Sequence, residues 1–136
     1  MTHPVIIRRQ AQRQELLSLA AAFAGRLDDL GVHTVVVFGS VARGDFNAWS
    51  DVDVLVVADA LPRRWLDRLA RLVDRASPGI SALAWSPAEM AREVARGNPI
   101  AVEVMTLGVV VRGTLPQPRD GSGSWSAGAD TDRDLG

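Results

Sequence analysis

Apolar positions fall into alternating helical and strand-like patterns along most of the chain. Leu16, Ala20, Phe23, Leu27 and Leu30 follow the i, i+4, i+7 spacing of one helix face, and Gly31 is a natural stop. Thr34-Val-Val-Val-Phe38 is a short β-branched run, apolar throughout, which predicts a strand buried on both faces. A second strand is expected at Asp51-Val-Asp-Val-Leu-Val-Val57. Pro62 can open a helix with an apolar face of Trp65, Leu66, Leu69, Leu72, Val73 and Ala76. The opposite face carries Arg63, Arg64, Asp67, Arg68, Arg71, Asp74 and Arg75, with Asp67 and Arg71 at salt-bridge spacing. It reads as a solvated surface, with a partner or RNA contact as the rival. Ile80 to Trp85 forms a third strand pattern, with Trp65 and Trp85 assigned to the core. Ser86-Pro-Ala-Glu89 has the form of a capping box for a helix running to about Arg96 and stopping at Gly97. Asn98-Pro99 opens a further helix ended by Gly108, and Val109-Val-Val111 adds an edge strand. The sum is an α/β (α+β) domain, a small mixed sheet flanked by helices.

From Thr114 the pattern stops, and Gly, Ser, Pro and Asp dominate. Such a segment buries too little to offset its ordering entropy, so residues 114–136 are expected to be a disordered tail behind a domain of residues 1–113. Trp125 lies in that tail.

Composition narrows the function classes. The 136 residues hold 15 arginines, no lysine, 12 aspartates and 4 glutamates, for a net charge of −1. That balance lacks the basic footprint of a dedicated nucleic-acid binder. Without cysteine there is no disulfide, thiolate metal site or cysteine nucleophile. The longest apolar run, Leu19–Ala24, is far short of a membrane span, and Met1–Gln10 lacks a signal-peptide core. A cytoplasmic location is expected. His3 and His33 are isolated and read as structural, so no Ser-His-Asp set is arguable.

The chemistry concentrates in Phe38-Gly-Ser-Val-Ala-Arg-Gly-Asp-Phe-Asn-Ala-Trp-Ser-Asp-Val-Asp53. A buried strand ends at Gly39-Ser40, a polar loop follows, and Asp51 and Asp53 open the next strand. Residues i and i+2 of a strand share a face, with Cα atoms roughly 6–7 Å apart, so both carboxylates project together. Two such carboxylates beside a ligand phosphate suit Mg²⁺. Gly39 lets a phosphate approach the backbone, Ser40 offers a hydroxyl, and the turn offers N–H groups to an anion. No Gly-Lys-Ser/Thr follows, so this is not a P-loop. Trp49 reads as a loop anchor, with base stacking as its rival.

Gly-Ser, ten residues, then Asp-x-Asp resembles the signature of the DNA polymerase β-like nucleotidyltransferase superfamily. The Ala42-Arg43-Gly44 loop and Ser50 resemble its minimal nucleotidyltransferases, several of which are antitoxins paired with a helical HEPN toxin. Gly97–Gly113 is similar to the C-terminal stretch of that group. The resemblance covers about Val32 to Gly113 and is specific from Gly39 to Asp53.

It implies the superfamily fold and a metal-dependent transfer of a nucleoside monophosphate from an NTP, ATP first, to an acceptor hydroxyl. Asp51 and Asp53 would hold Mg²⁺ or Mn²⁺ and be catalytic. Gly39, Ser40, Arg43 and Ser50 would bind nucleotide, with Arg43 as a phosphate partner or a tie within its own loop. The acceptor, a HEPN-type toxin or another molecule, would come from outside the chain, as would a second subunit if there is one. Active members usually carry a third carboxylate on the strand after the intervening helix, where this chain has Ser81 or Ala82. Glu103 falls on an expected helix and Glu89 serves the capping box. The rival reading is therefore a catalytically weak nucleotidyltransferase-fold binding module, an antitoxin acting by contact. A small-molecule nucleotidyltransferase is the third option.

Overall fold

A computed structural model describes residues 3–115. The elements run α1 (Pro4–Ala24), a 3₁₀ turn (Asp28–Leu30), β1 (Val32–Phe38), α2 (Gly39–Arg43), β2 (Val52–Ala58), α3 (Trp65–Arg75), β3 (Ile80–Trp85), α4 (Pro87–Ala95), α5 (Pro99–Leu107) and β4 (Val109–Gly113). The four strands lie in the order β3-β2-β1-β4. β1 pairs antiparallel with β2 and with β4, while β2 and β3 are parallel.

The apolar strands are buried on both faces, as their unbroken Val runs require. Val35, Val37, Val54 and Val56 pack on one side with Ala20, Phe23 and Leu27. Val36, Leu55 and Val57 pack on the other with Met90 of α4 and Val104 of α5. The period of two puts Asp53 on the second side, in line with Leu55 and Val57. That parity sets which helices the site can meet.

Two helices differ from their sequence patterns. α1 begins at Pro4 rather than near Leu16, because His3 Nδ1 caps the Val5 N–H and proline occupies the first turn. It ends at Ala24; Leu27 and Leu30 stay buried but belong to the turn that follows. α3 begins at Trp65 and buries only Leu72 fully, leaving Trp65 (69% exposed), Leu66, Leu69 and Val73 on the surface. The core takes only part of its apolar face, Leu72 with Ala76, and Trp65 is not a core residue. Trp85 is half-buried against the second cluster. Two arginines assigned to the solvated face turn inward: Arg68 pairs with Glu89 and Arg75 with Asp29.

The expected capping box is present: Ser86 Oγ accepts the Glu89 N–H and Glu89 Oε1 accepts the Ser86 N–H. The chain past β4 keeps contact with the domain, since the buried Thr34 hydroxyl donates to the Thr114 carbonyl (2.8 Å) and Leu115 packs on the second cluster. Residues 116–136, most of the segment expected to be a tail, lie outside the described residues.

Candidate functional site

The loop between β1 and β2 is built for close approach. Gly39 has φ +76°, where only glycine is unstrained, and a Cβ there would collide with Asp53 Oδ2. β1 can therefore turn into α2 directly against the Asp53 carboxylate. α2 is one short turn, closed by Gly44 at φ +89°. Phe38 and Asp53 are register partners at the ends of β1 and β2, which holds the turn and the carboxylate together.

An open cavity of about 310 Å³ lies at this end of the sheet, lined by Gly39, Ser40, Arg43, Asp53, Ile100 and Glu103 among others. The structure thus brings together four of the six residues singled out in the sequence. Asp51 stands just before β2, exposed, two residues from Asp53. Ser50 faces another hollow, with Arg9 and Phe46, and its hydroxyl accepts the Asn47 N–H (3.0 Å). Its visible work is to brace the loop. Trp49 is 92% exposed, so it anchors nothing.

Glu103 is the residue whose place the sequence did not disclose. It lies on α5, as expected, but α5 packs on the Asp53 side of the sheet through Val104, and this carries the neighbouring carboxylate into the cavity. Glu103 Oε2 accepts the Gly39 N–H (2.5 Å) and pairs with Arg43 Nη1 (2.9 Å). Arg43 Nε also reaches Asp45 Oδ2 (3.2 Å), so its guanidinium spans two acids. Among the described residues no group of three or more histidines, cysteines and acids is arranged to hold a metal. The register partner of Asp53 on β3 is Ser81, on the same face.

Burial raises the Asp53 carboxyl above the usual aspartate range, repulsion from Asp51 and Glu103 adds to this, and Arg43 opposes it. A cation beside Asp53 would relieve that repulsion. Two carboxylates with a ligand's phosphate oxygens and water match the ligands Mg²⁺ prefers, so the residues fit the ion as a pair and not as a closed cage.

Two further residues position the loop and have no signal in the motif. Arg13 of α1 donates from Nε to the Val41 carbonyl and from Nη2 to the Ala42 carbonyl, both at 3.0 Å. Arg9 donates to the carbonyls of Gly44 and Phe46 and stacks over the Phe46 ring (4.3 Å). Their i, i+4 spacing puts both on one side of α1, which alone could have flagged them.

A family model described as a nucleotidyltransferase domain matches residues 21–77, from the last turn of α1 through α3 and just beyond. A solved structure described as a "putative nucleotidyltransferase from Sulfolobus solfataricus" superposes with a TM-score of 0.56 over 75% of this chain and 84% of its own, at 20% identity. The chain has the polymerase β-like nucleotidyltransferase fold. A "toxin-antitoxin with AMP-PNP" aligns at a TM-score of 0.46 and 21% identity, covering 67% of this chain and 70% of that one. In sequence, the "Putative protein adenylyltransferase MJ1305" of Methanocaldococcus jannaschii is 51% identical over 35 residues, 26% of this chain. That stretch spans about a quarter (24%) of the relative's length. In this fold, then, Gly39 and Asp53 stand where β1, α2 and β2 meet, and α5 closes over them. Among the described residues no helix is long and apolar enough to cross a membrane.

Proposed function

We propose that this chain is a nucleotidyltransferase-fold module that takes a Mg²⁺-bound nucleoside triphosphate, ATP first, and works on a partner protein chiefly by contact. One observation carries the reading: the Gly39 N–H, the Arg43 guanidinium and the Asp53 carboxylate converge on a single open cavity. Phosphate oxygens need the first two and a cation needs the third. Asp51 and Asp53 would hold Mg²⁺ or Mn²⁺, which when bound would offset phosphate charge. Gly39, Ser40 and Arg43 would orient the phosphates, and Ser50 would hold the loop.

Contact rather than fast transfer is favoured by Ser81. It occupies the face of Asp53 where the resembling enzymes carry an acid, and a serine hydroxyl does not take a proton from an acceptor at neutral pH. Loss of a general base costs on the order of 10²–10⁴ in rate. The second reading, nucleotide transfer to an acceptor hydroxyl on a partner, is favoured by the Asp51/Asp53 pair. The stretch shared with a protein described as a protein adenylyltransferase also supports a protein as that partner. A HEPN-type toxin is the first partner to try.

Calorimetry with ATP and Mg²⁺ tests the site: binding is expected in wild type and lost in Asp53→Asn, and equal binding by the two removes Asp53 from it. Incubating partner and chain with α-labelled ATP separates the readings. A partner neutralised without label supports contact, and label lost in Asp51→Asn supports transfer.

A further inference from the structure

We propose that Glu103 is a built-in competitor of the nucleotide's phosphates, so that its carboxylate must leave Gly39 and Arg43 before a triphosphate can be held there. This rests on the nucleotide-binding reading above and adds what limits that binding.

The argument begins with donor counting. Gly39 has one N–H, and Glu103 Oε2 holds it at 2.5 Å. A single hydrogen cannot serve that carboxylate and a phosphate oxygen at full strength. Arg43 is engaged on both sides, by Asp45 through Nε and by Glu103 through Nη1. Two of its five N–H donors are taken, and two carboxylates already offset its charge. Any phosphate entering the cavity also meets Glu103 and Asp53 as like charges in its lining.

The arrangement is reversible by a side chain alone. Glu103 retains 26% of its side-chain exposure and Arg43 40%, so both can rotate toward solvent without moving α5. The backbone of α5 is fixed independently by buried Ala101 and Val104 and by the Asn98 cap on Ile100. Glu103 is therefore a removable anion on a rigid support. It differs from Glu89, whose carboxylate is tied to its own helix start and to Arg68.

The experiment is calorimetric titration of ATP and of inorganic tripolyphosphate, each with Mg²⁺, into the full chain and its Glu103→Ala and Glu103→Gln variants. The carboxamide oxygen of Gln can still accept the Gly39 N–H, which guards the fold, and thermal melting of the same samples verifies it. A charge-assisted hydrogen bond of this kind corresponds to a gain of roughly 10- to 100-fold in affinity on removal. That gain is expected in Glu103→Ala, partly in Glu103→Gln, and equally for ATP and tripolyphosphate, because the competition is for phosphate and not for the base. Unchanged affinity in folded variants overturns the proposal and leaves Glu103 as a brace. Weaker binding with loss of the Mg²⁺ requirement also overturns it and makes Glu103 a cation ligand. If wild type and both variants bind neither probe, the nucleotide-binding reading itself fails. Binding by wild type that the variants merely equal leaves that reading intact and removes only Glu103's role.

Discussion

Arg13 Nε lies 3.0 Å from the carbonyl oxygen of Val41, and its Nη2 lies 3.0 Å from that of Ala42. One side chain from α1 thereby satisfies two carbonyls of α2, a helix too short to satisfy its own. Arg13→Ala should leave both carbonyls without that partner and cost about 1–3 kcal/mol. Arg13→Lys should recover only part of this, because one ammonium nitrogen does not reproduce the planar pair of Nε and Nη2 that reaches the two carbonyls. Chemical denaturation of the three proteins checks this, and a lysine variant as stable as wild type would show that the fork is not needed.

Gly39 is the tightest point of the loop. Alanine at φ +76° costs about 1–2 kcal/mol in backbone strain alone, and its methyl group would displace the Asp53 carboxylate. Gly39→Ala should therefore lower the unfolding midpoint and weaken binding of Mg²⁺–ATP together, whereas Gly44→Ala, where a Cβ meets open space, should lower stability alone. Paired melting and titration of the two variants distinguish the effects.

The Arg68–Glu89 pair predicts an acid-sensitive contribution to stability. Burial pushes the Glu89 carboxyl up, but hydrogen bonds from Arg68 and from the Ser86 N–H outweigh it and hold it below the usual glutamate range. A folded-state pKa below the unfolded one gives stabilisation that is complete above the ordinary value, about 4.3, and is lost as pH falls through the lowered value. Wild type should accordingly lose melting temperature faster than Glu89→Gln as pH drops from about 5 to about 3. Parallel slopes would show that the pair contributes nothing specific.

On α3 the surface and core sides can be separated by substitution. Leu72→Ala empties a buried position and should cost about 2–5 kcal/mol. Trp65→Ser, at a residue 69% exposed, should stay within about 0.5 kcal/mol of wild type. A large loss at Trp65 would mean that its ring is covered in solution.

These substitutions also trace what the sequence could disclose. The strands and the Gly39–Asp53 loop were legible because their signals are local: unbroken valine runs, a glycine at a strand end, carboxylates two apart. The Ser86–Glu89 cap was legible for the same reason. α1 was misplaced because its first half has no apolar face; what holds it are a histidine cap and two arginines reaching residues 28 to 37 positions away. On α3, amphipathicity marks an apolar side but not how much of it the sheet covers: Leu72 reaches the core, while Trp65, Leu66, Leu69 and Val73 stay exposed. Glu103 was found in sequence but not in space, since its approach to Gly39 spans 64 residues and depends on which face of the sheet α5 covers. Fifteen positions of chain, Gly39 to Asp53, carry the recognisable motif, and the residue that occupies it comes from outside them.

That separation sets an order on the ribosome. Gly39 to Asp53 closes as a short hairpin between β1 and β2, at small loop-closure cost, while α5 is still unmade. A nascent chain that has just completed β3 therefore carries the whole loop with its glycine N–H and Arg43 unclaimed by Glu103. Synthesis of the next two helices delivers the carboxylate. In order of synthesis the open cradle comes first, and the occupied one waits on α5.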